Sequence, residues 1–236
     1  MIKIVDYSKT YNGKDYVVEG LNLSVEKGDI FGFIGHNGAG KTTTIKSVVG
    51  ILEFEKGDIF IDGVSIKSNP IACKKIMSYV PDNPEIYENL TGLQYIYLVC
   101  DLFGVKKEER LPLIEKYCKE LELQGVLNDL VSSYSHGMKQ KLVLIASLVH
   151  SPKILILDEP FVGLDPKASF NLKKIMTEFC SNGGSIFFST HVLEVAQKLC
   201  NKIAIIKNGK IVVEGKVEEL TKTQSLEDVF MEYANE

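Results

Sequence analysis

A glycine-rich string, GHNGAGKT at positions 35–42, is the part of the sequence best suited to chemistry. It follows the apolar run Ile30–Ile34 and precedes a stretch that can form a helix, which is the setting of a phosphate-binding loop. Lys41 can bind phosphate oxygens, and the Thr42 hydroxyl can bind Mg²⁺. The alternative is a plain glycine-rich turn between a strand and a helix. The predicted nucleotide-binding residues here are Gly35, His36, Asn37, Gly38, Ala39, Gly40, Lys41, Thr42 and Thr43.

Two adjacent carboxylates follow another apolar run. The sequence ILIL at positions 154–157 leads directly into Asp158 and Glu159. Both acids are therefore expected at the carboxyl end of a buried strand, where open α/β sheets bind their ligands. Asp158 can orient the shell of a Mg²⁺ ion, and Glu159 can act as general base toward an attacking water. The alternative is that the two carboxylates only cap the end of the strand.

The first half of the chain predicts the strands around the glycine-rich loop and then a helical insertion. β-Branched or alternating runs between turn residues predict strands at positions 2–7, 16–25, 30–34, 58–66 and 78–81. From position 83 to about 131 the composition changes, and helical spacing predicts helices at 93–103 and 107–121. A strand-rich region is thus followed by a helical one.

The second half predicts an alternating α/β core. Between strands predicted at 154–157 and 185–189, apolar residues recur at helical spacing, namely Leu172, Ile175, Met176 and Phe179. Strand, helix and strand in this order favour a parallel sheet. The dipeptide Asn208-Gly209 between two further apolar runs is typical of a type I′ turn, which predicts a hairpin.

Composition narrows the classes of function. A chain of 236 residues that is 45% hydrophobic can bury a sizeable core. Its net charge of −4 gives no general attraction to phosphate backbones, so we expect no nucleic-acid partner. Arg110 is its single arginine. Unless Arg110 reaches the site, a γ-phosphate would have to be neutralised by lysine, metal and backbone amides.

Cysteines and apolar segments indicate the compartment. The five cysteines are widely spaced and include no CxxC pair, which argues against disulfides or zinc and favours a reducing cytosol. The N-terminal residues lack the plan of a signal peptide, and no apolar stretch approaches the ~20 residues that span a bilayer. We expect no direct membrane insertion. If the protein functions at a membrane, another polypeptide must supply the membrane-spanning segments.

A third motif selects among proteins with such a loop. The string YSHGMKQ at positions 134–140 introduces a predicted helix that Ser135 can cap. Placed after the phosphate loop and before the two acids, it resembles the signature motif of ATP-binding cassette proteins. The signature residues are then Ser135, His136, Gly137, Met138 and Lys139.

Further motifs extend this resemblance over essentially the whole chain. Tyr11 resembles the aromatic residue that stacks on adenine, and STH at 189–191 resembles the switch motif, whose histidine, His191, holds the γ-phosphate and attacking water. Taken singly, Tyr11 could be a strand-face tyrosine and His191 a helix-start residue. The string VGLDP at 162–166 resembles the D-loop, with Gly163, Leu164 and Asp165.

The resemblance implies a fold class and a division of the chain. We expect an α/β fold, namely a P-loop NTPase core with a mixed sheet, an N-terminal antiparallel β region and a helical subdomain that bears the signature. The expected division is a nucleotide-binding core at about 1–82 and 138–215, a helical subdomain at about 83–137 and a C-terminal helical tail at about 216–236. Apolar residues of this tail recur at helical spacing and favour a packed terminal helix over a partner-binding motif, namely Leu226, Val229, Phe230 and Tyr233.

The resemblance also implies a function. Such chains hydrolyse ATP as head-to-tail dimers, with a second copy or a homologous ATP-binding subunit, and each ATP lies between one phosphate loop and the other subunit's signature. Ser135 and the Gly137 amide would complete the γ-phosphate cage, so an arginine finger is unnecessary. Expected partners are integral membrane transporter subunits, at the cytoplasmic, inner face of the cell membrane. The expected cofactors are ATP and Mg²⁺, with metal contacts at Thr42, Asp82 and Asp158.

The sequence departs from the family pattern at two places. The usual signature LSGGQ is reduced to Ser135 and Gly137, and Asp82 in YVPDNP stands where glutamine is usual. Asp82 could instead only bond neighbouring backbone amides in a turn. The segment at 81–91 is similar to the exporter-like branch, which favours export. Two alternatives remain, a soluble non-transport ATPase of this kind that acts as a mechanical clamp and a P-loop kinase that would need neither signature nor switch histidine.

Overall fold

The computed structural model describes residues 1–234, and the last two positions of the predicted tail lie outside them. The strands of this part of the chain are β1 (Ile2–Thr10), β2 (Tyr16–Val25), β3 (Ile30–Ile34), β4 (Lys56–Ile61), β5 (Val64–Ser65), β6 (Met77–Val80), β7 (Ile154–Asp158), β8 (Ser185–Thr190), β9 (Lys202–Lys207) and β10 (Lys210–Lys216). The helices are α1 (Lys41–Val48), α2 (Pro70–Ile76), α3 (Gly92–Leu102), α4 (Lys107–Glu120), α5 (His136–Leu148), α6 (Pro166–Ser181), α7 (Leu193–Leu199), α8 (Val217–Leu220) and α9 (Leu226–Ala234).

The larger sheet carries the candidate site. Its strand order is β10-β9-β3-β8-β7-β6, and all neighbours pair in parallel except β10, which forms the predicted hairpin with β9. Strand β3 is buried on both faces, because Phe31 and Phe33 enter one core while Ile30 and Ile34 enter the other. A continuous apolar run is what burial on both faces of a parallel sheet requires. The prediction of an α/β fold with a mixed sheet is confirmed.

The smaller sheet is antiparallel, with the order β2-β1-β4-β5. Ile2 pairs with Val25 on one side and with Ile61 on the other, so β1 lies inside the sheet. The prediction of one strand at 58–66 is wrong, because Asp62 and Gly63 form a turn with φ values of 50° and 82° that separates β4 from β5. Asp-Gly pairs favour such positive φ values, and this local signal explains the interruption.

Helices α3 and α4 form an α-helical pair after the strands. Thr91 and Gln94 make a capping box at the start of α3, which fixes where the helix begins. The turn between the helices is held by Arg110, whose guanidinium lies 2.7 Å from Asp101 Oδ1 and donates to the Val105 carbonyl oxygen at 2.9 and 2.8 Å. The side chain of the single arginine is therefore engaged in contacts within this turn. Within residues 1–234, no helix combines the length and apolar character needed to cross a membrane.

Candidate functional site

The glycine-rich loop joins the end of β3 to the start of α1, as predicted from the sequence. His36, Asn37 and Gly38 form its exposed tip, whereas Gly35 and Gly40 are buried. Gly40 has φ of 110°, which an L side chain rarely adopts. At Gly35 a Cβ would lie 2.6 Å from the Ile206 carbonyl oxygen, so the loop passes directly over β9. Glycine is required at both positions for the loop to keep this path.

Lys41 reaches back across the loop. Its ammonium donates to the Gly35 carbonyl oxygen at 2.7 Å and to the His36 carbonyl oxygen at 3.3 Å. The same Nζ lies 3.5 Å from Glu159 Oε1, and the side chain is only 6% exposed. The loop therefore surrounds a nearly buried positive charge, as the binding of a triphosphate requires.

Tyr11 lies beside the first turn of α1. Its hydroxyl is 3.2 Å from Thr43 Oγ1, and its side chain is 63% exposed. The Lys9 ammonium lies 5.5 Å from the ring centroid. A largely exposed ring next to the phosphate loop can stack on a base, and the role that the resemblance implies for Tyr11 stays a prediction.

Asp158 is fully buried at the end of β7. It accepts a hydrogen bond from the Ser189 hydroxyl, and its Oδ2 has no hydrogen-bond partner among the described residues. Burial raises the pKa of the Asp158 carboxyl above its ordinary value. The Ser189 hydroxyl and the nearby Thr42 hydroxyl oppose this rise, and the charges of Asp82 and Glu159 add to it. A cation beside Oδ2 would relieve this desolvated carboxylate.

These donors fit a magnesium ion that also binds phosphates. Within residues 1–234, no group of three His, Cys, Asp or Glu side chains could hold a metal by itself. Mg²⁺ is usually held by one or two carboxylates together with substrate phosphates, and Asp158 with the Thr42 hydroxyl supplies that kind of partial set. Asp82 is exposed and accepts from the Asn83 amide at 2.9 Å, as the turn interpretation expects. Its charge nevertheless acts on Asp158.

Glu159 and His191 meet beside Lys41. His191 Nδ1 lies 3.0 Å from Glu159 Oε2, so a carboxylate and an imidazole are joined at the carboxyl ends of β7 and β8. Glu159 has φ of 48°, a conformation that costs a non-glycine residue about 1–2 kcal/mol. The strained backbone is held because the Glu159 amide donates to Ser189 Oγ at 3.0 Å. An oriented carboxylate of this kind can accept a proton from a water.

Ser189 is the functional residue whose contribution the sequence did not reveal. Its hydroxyl donates to Asp158 and accepts from the Glu159 amide, so it fixes both acids at once. The signal that could have identified it is the register of β7 and β8, which places Asp158 opposite Ser189. That register depends on long-range pairing and cannot be read from either segment alone.

The signature segment lies apart from the phosphate loop. Ser135 caps α5 by accepting from the Met138 amide at 3.3 Å, as predicted, and it is exposed together with His136. Lys139 pairs with Glu88. Among residues 1–234, no hydrogen bond or ion pair joins positions 134–140 to positions 35–43.

The D-loop packs against the signature segment of the same chain. A Cβ on Gly137 would lie 2.7 Å from the Gly163 carbonyl oxygen, and a Cβ on Gly163 would lie 2.7 Å from the His136 ring. Asp165 caps α6 through the Ala168 amide at 2.8 Å and pairs with Lys141 of α5 at 2.9 Å. Leu164 packs on the main core. The start of α5 and the D-loop are therefore in direct contact.

Comparison with known proteins identifies the family. The sequence model of the ABC transporter family matches residues 18–162. The chain is 31% identical over 241 residues to the ABC-type transporter ATP-binding protein EcsA of Bacillus subtilis, covering 100% of this chain and 97% of that protein. A solved ATP-binding subunit of an ABC transporter is 30% identical with a TM-score of 0.95, covering 99% of each chain. The dimeric cassette MJ0796, solved with ADP and Pi, shares the fold with a TM-score of 0.84. It is 22% identical, and the match covers 92% of this chain and 99% of that one. The chain therefore belongs to the ABC transporter family, as an ATP-binding subunit that hydrolyses ATP.

Proposed function

We propose that this chain dimerises around two ATP molecules and drives export through separate integral membrane subunits. One observation supports the proposal of a dimer. Lys41, Glu159 and His191 converge at one site, whereas the exposed signature residue Ser135 forms no hydrogen bond or ion pair with that site in the described chain. A second subunit that presents its own Ser135 would complete the cage around the γ-phosphate. The dimeric state of MJ0796 supports this arrangement.

The proposed roles follow from the geometry of the site. Lys41 would bind the β- and γ-phosphates, Thr42 and Asp158 would hold Mg²⁺ with Asp82 near them, and Tyr11 would stack on adenine. When bound, Mg²⁺ would neutralise charge on the phosphates. Glu159 accepts the proton of the attacking water, and His191, 3.0 Å away, orients that carboxylate and contacts the γ-phosphate. Because Arg110 is held by Asp101, the signature of the second subunit takes the place of an arginine finger.

Mixed subunits test the shared site. Lys41→Ala and Ser135→Arg are each expected to inactivate a homodimer. In their heterodimer, one of the two composite sites has both an intact phosphate loop and an intact signature. A 1:1 mixture should therefore recover up to about a quarter of the native ATPase rate if the two sites turn over independently. Two controls are needed: heterodimers must be shown to form, and one intact site must be shown to suffice in a covalently linked dimer. If both hold, a mixture without ATPase activity would contradict the shared site.

An apolar groove supports docking on membrane subunits. The groove measures about 330 Å³ and lies between the larger sheet and the α3 and α5 helices, where it is lined by Ile51, Tyr79 and Phe103 among others. Ile51 and Phe103 are 62% and 41% exposed. The Tyr79 hydroxyl has no hydrogen-bond partner among the described residues. Apolar walls with an unpaired polar atom suit a segment of a membrane subunit that offers both apolar and polar groups.

Purification from detergent-solubilised membranes tests this docking. The native chain should retain an integral membrane protein, whereas Ile51→Glu should lose it and keep its basal ATPase rate. Leu111→Glu is the matched control, because Leu111 is 54% exposed on α4 and does not line the groove. Export is then assayed in vesicles reconstituted with the retained subunits. Equal retention by both variants would contradict docking in the groove, and ATP-driven import would contradict the direction.

A further inference from the structure

The exposed tip of the phosphate loop is in contact with the C-terminal helix. The ring of Phe230 in α9 lies edge-on to the ring of His36, with centroids 4.9 Å apart and an interplanar angle of 63°. The His36 carbonyl oxygen accepts from Lys41 Nζ at 3.3 Å and from the Ala39 amide at 3.2 Å. Phe230 therefore touches a residue whose backbone helps to place the lysine that binds phosphate.

Helix α9 is anchored to its surroundings at both ends. At its start, Ser225 and Asp228 bond each other's backbone amides at 3.0 and 3.1 Å, which is a reciprocal cap. The first amide of the helix donates to the Gln197 side chain of α7 at 3.0 Å. Near its end, Lys207 donates to the Tyr233 carbonyl oxygen at 3.2 Å, where a cation also suits the helix dipole. These anchors give Phe230 a fixed position.

The burial pattern of α9 agrees with such a fixed position. Leu226 is fully buried, and Val229 and Phe230 are 3% and 9% exposed, whereas Met231 is 53% exposed. The tip of the phosphate loop is open at Gly38, where a Cβ would have no heavy atom within 4 Å, in contrast to the closely packed Gly35 and Gly40. An aromatic ring packed on His36 from outside limits the movement of this tip.

We propose that Phe230 is a positioning residue for ATP binding. Through the His36 ring, it holds the phosphate loop in the conformation that receives the phosphates. The bond between α9 and Gln197 adds a link to α7, the helix that follows His191. The C-terminal helix thus supports both the phosphate loop and the segment after the switch histidine. This role needs ATP binding alone and is independent of the membrane partner and of the direction of transport.

Equilibrium ATP binding and steady-state kinetics test this role. Phe230→Leu retains a buried apolar side chain but removes the aromatic contact, and Phe230→Ala removes both. An aromatic pair of this geometry corresponds to a change of about two- to tenfold in affinity. Both variants should therefore raise Kd and KM for ATP by about that factor, with kcat close to the native value. Phe230→Leu should keep the melting temperature of the nucleotide-free chain, and Met231→Ala should change neither quantity.

A double-mutant cycle with His36→Ala separates this contact from a general effect of α9. In the His36→Ala background, Phe230→Leu should cause no further loss of ATP affinity, because the ring that it contacts is already absent. The proposal is overturned by native ATP affinity in Phe230→Leu, by an affinity loss that follows the melting temperature, or by losses that multiply independently in the double variant.

Discussion

Replacing Glu159 with glutamine changes the charge of the proposed general base while keeping its shape. The carboxamide can still contact His191, which lies 3.0 Å from Oε2, so the side chain should remain oriented. The ion pair with Lys41, at 3.5 Å, is lost. Two unit charges at that distance attract by about 5 kcal/mol at an effective dielectric constant of about 20, before the cost of desolvating them. Since ATP must compete for the same ammonium, its affinity should be unchanged or higher in this variant.

Hydrolysis should respond in the opposite direction. Loss of a general base lowers the rate by about 10²–10⁴, which corresponds to about 3–5 kcal/mol in the barrier. Glu159→Gln should therefore bind ATP, hydrolyse it very slowly and accumulate as an ATP-bound dimer. The control is Glu194→Gln, because Glu194 is exposed on α7 and its one ion pair within residues 1–234 is with Lys198, so the rate of this variant should stay native.

Three measurements together decide the role of Glu159. They are phosphate release at saturating ATP, ATP affinity by equilibrium binding, and subunit association by size-exclusion chromatography with ATP. A rate within about threefold of the native value in Glu159→Gln would refute the assignment of the general base. Weak ATP binding in a folded variant would instead show that the Lys41 ion pair supports the loop and does not compete with phosphate.

Four further predictions test neighbouring features. Asp82→Ala should raise the Mg²⁺ concentration for half-maximal ATPase activity and Asp82→Gln should raise it less; superimposable titrations would leave Asp82 as a turn residue. Truncation before Ser225 should lower the melting temperature, because it removes the buried face of α9; unchanged stability with lost membrane association would favour partner binding. Gly163→Ala should destabilise the chain, because the new Cβ would lie 2.7 Å from the His136 ring and the backbone φ is 79°. Adding His136→Gly should recover part of the lost stability, and no recovery would contradict the contact. Burial lowers the pKa of His150 from 6.5 to about 4. Between these two pH values the unfolded chain binds a proton at His150 that the folded chain does not, so the free energy of unfolding should fall as the pH drops from 6.5 to about 4. An equally steep fall in His150→Gln would exclude this cause.

The sequence predicted the parts of the site whose signals are local. The Gly-rich spacing before Lys41 and the acids after an apolar run each require a strand end, and both lie at the carboxyl edge of the larger sheet. The Asn208-Gly209 turn has positive φ at both residues, as a type I′ hairpin needs. Local steric preference and burial pattern were therefore sufficient to place these residues.

Other features depend on contacts between distant segments. The link that Ser189 makes between Asp158 and Glu159 follows from the register of β7 and β8, and the contact of Phe230 with His36 follows from the docking of α9. No periodicity reports such pairings. Helix α2 was missed although Asn69 caps it and Pro70 occupies its first turn, because the segment is short and has few apolar residues to show a helical face. The division into core, helical subdomain and tail, and the roles of individual site residues, stay predictions.

The contact between Gly137 and Gly163 has a consequence for communication within a pair of subunits. In the proposed dimer, the signature segment of one chain touches the nucleotide bound by its neighbour, whereas the D-loop lies just after the Glu159 that serves its own nucleotide. With less than a methyl group of space between these glycines, and with Lys141 paired to Asp165, one segment cannot move without displacing the other. In the proposed dimer, a movement of the signature segment at one nucleotide would thereby reach the D-loop that follows Glu159 at the other. The contact would thus link the two nucleotide sites of the proposed dimer through the body of one chain.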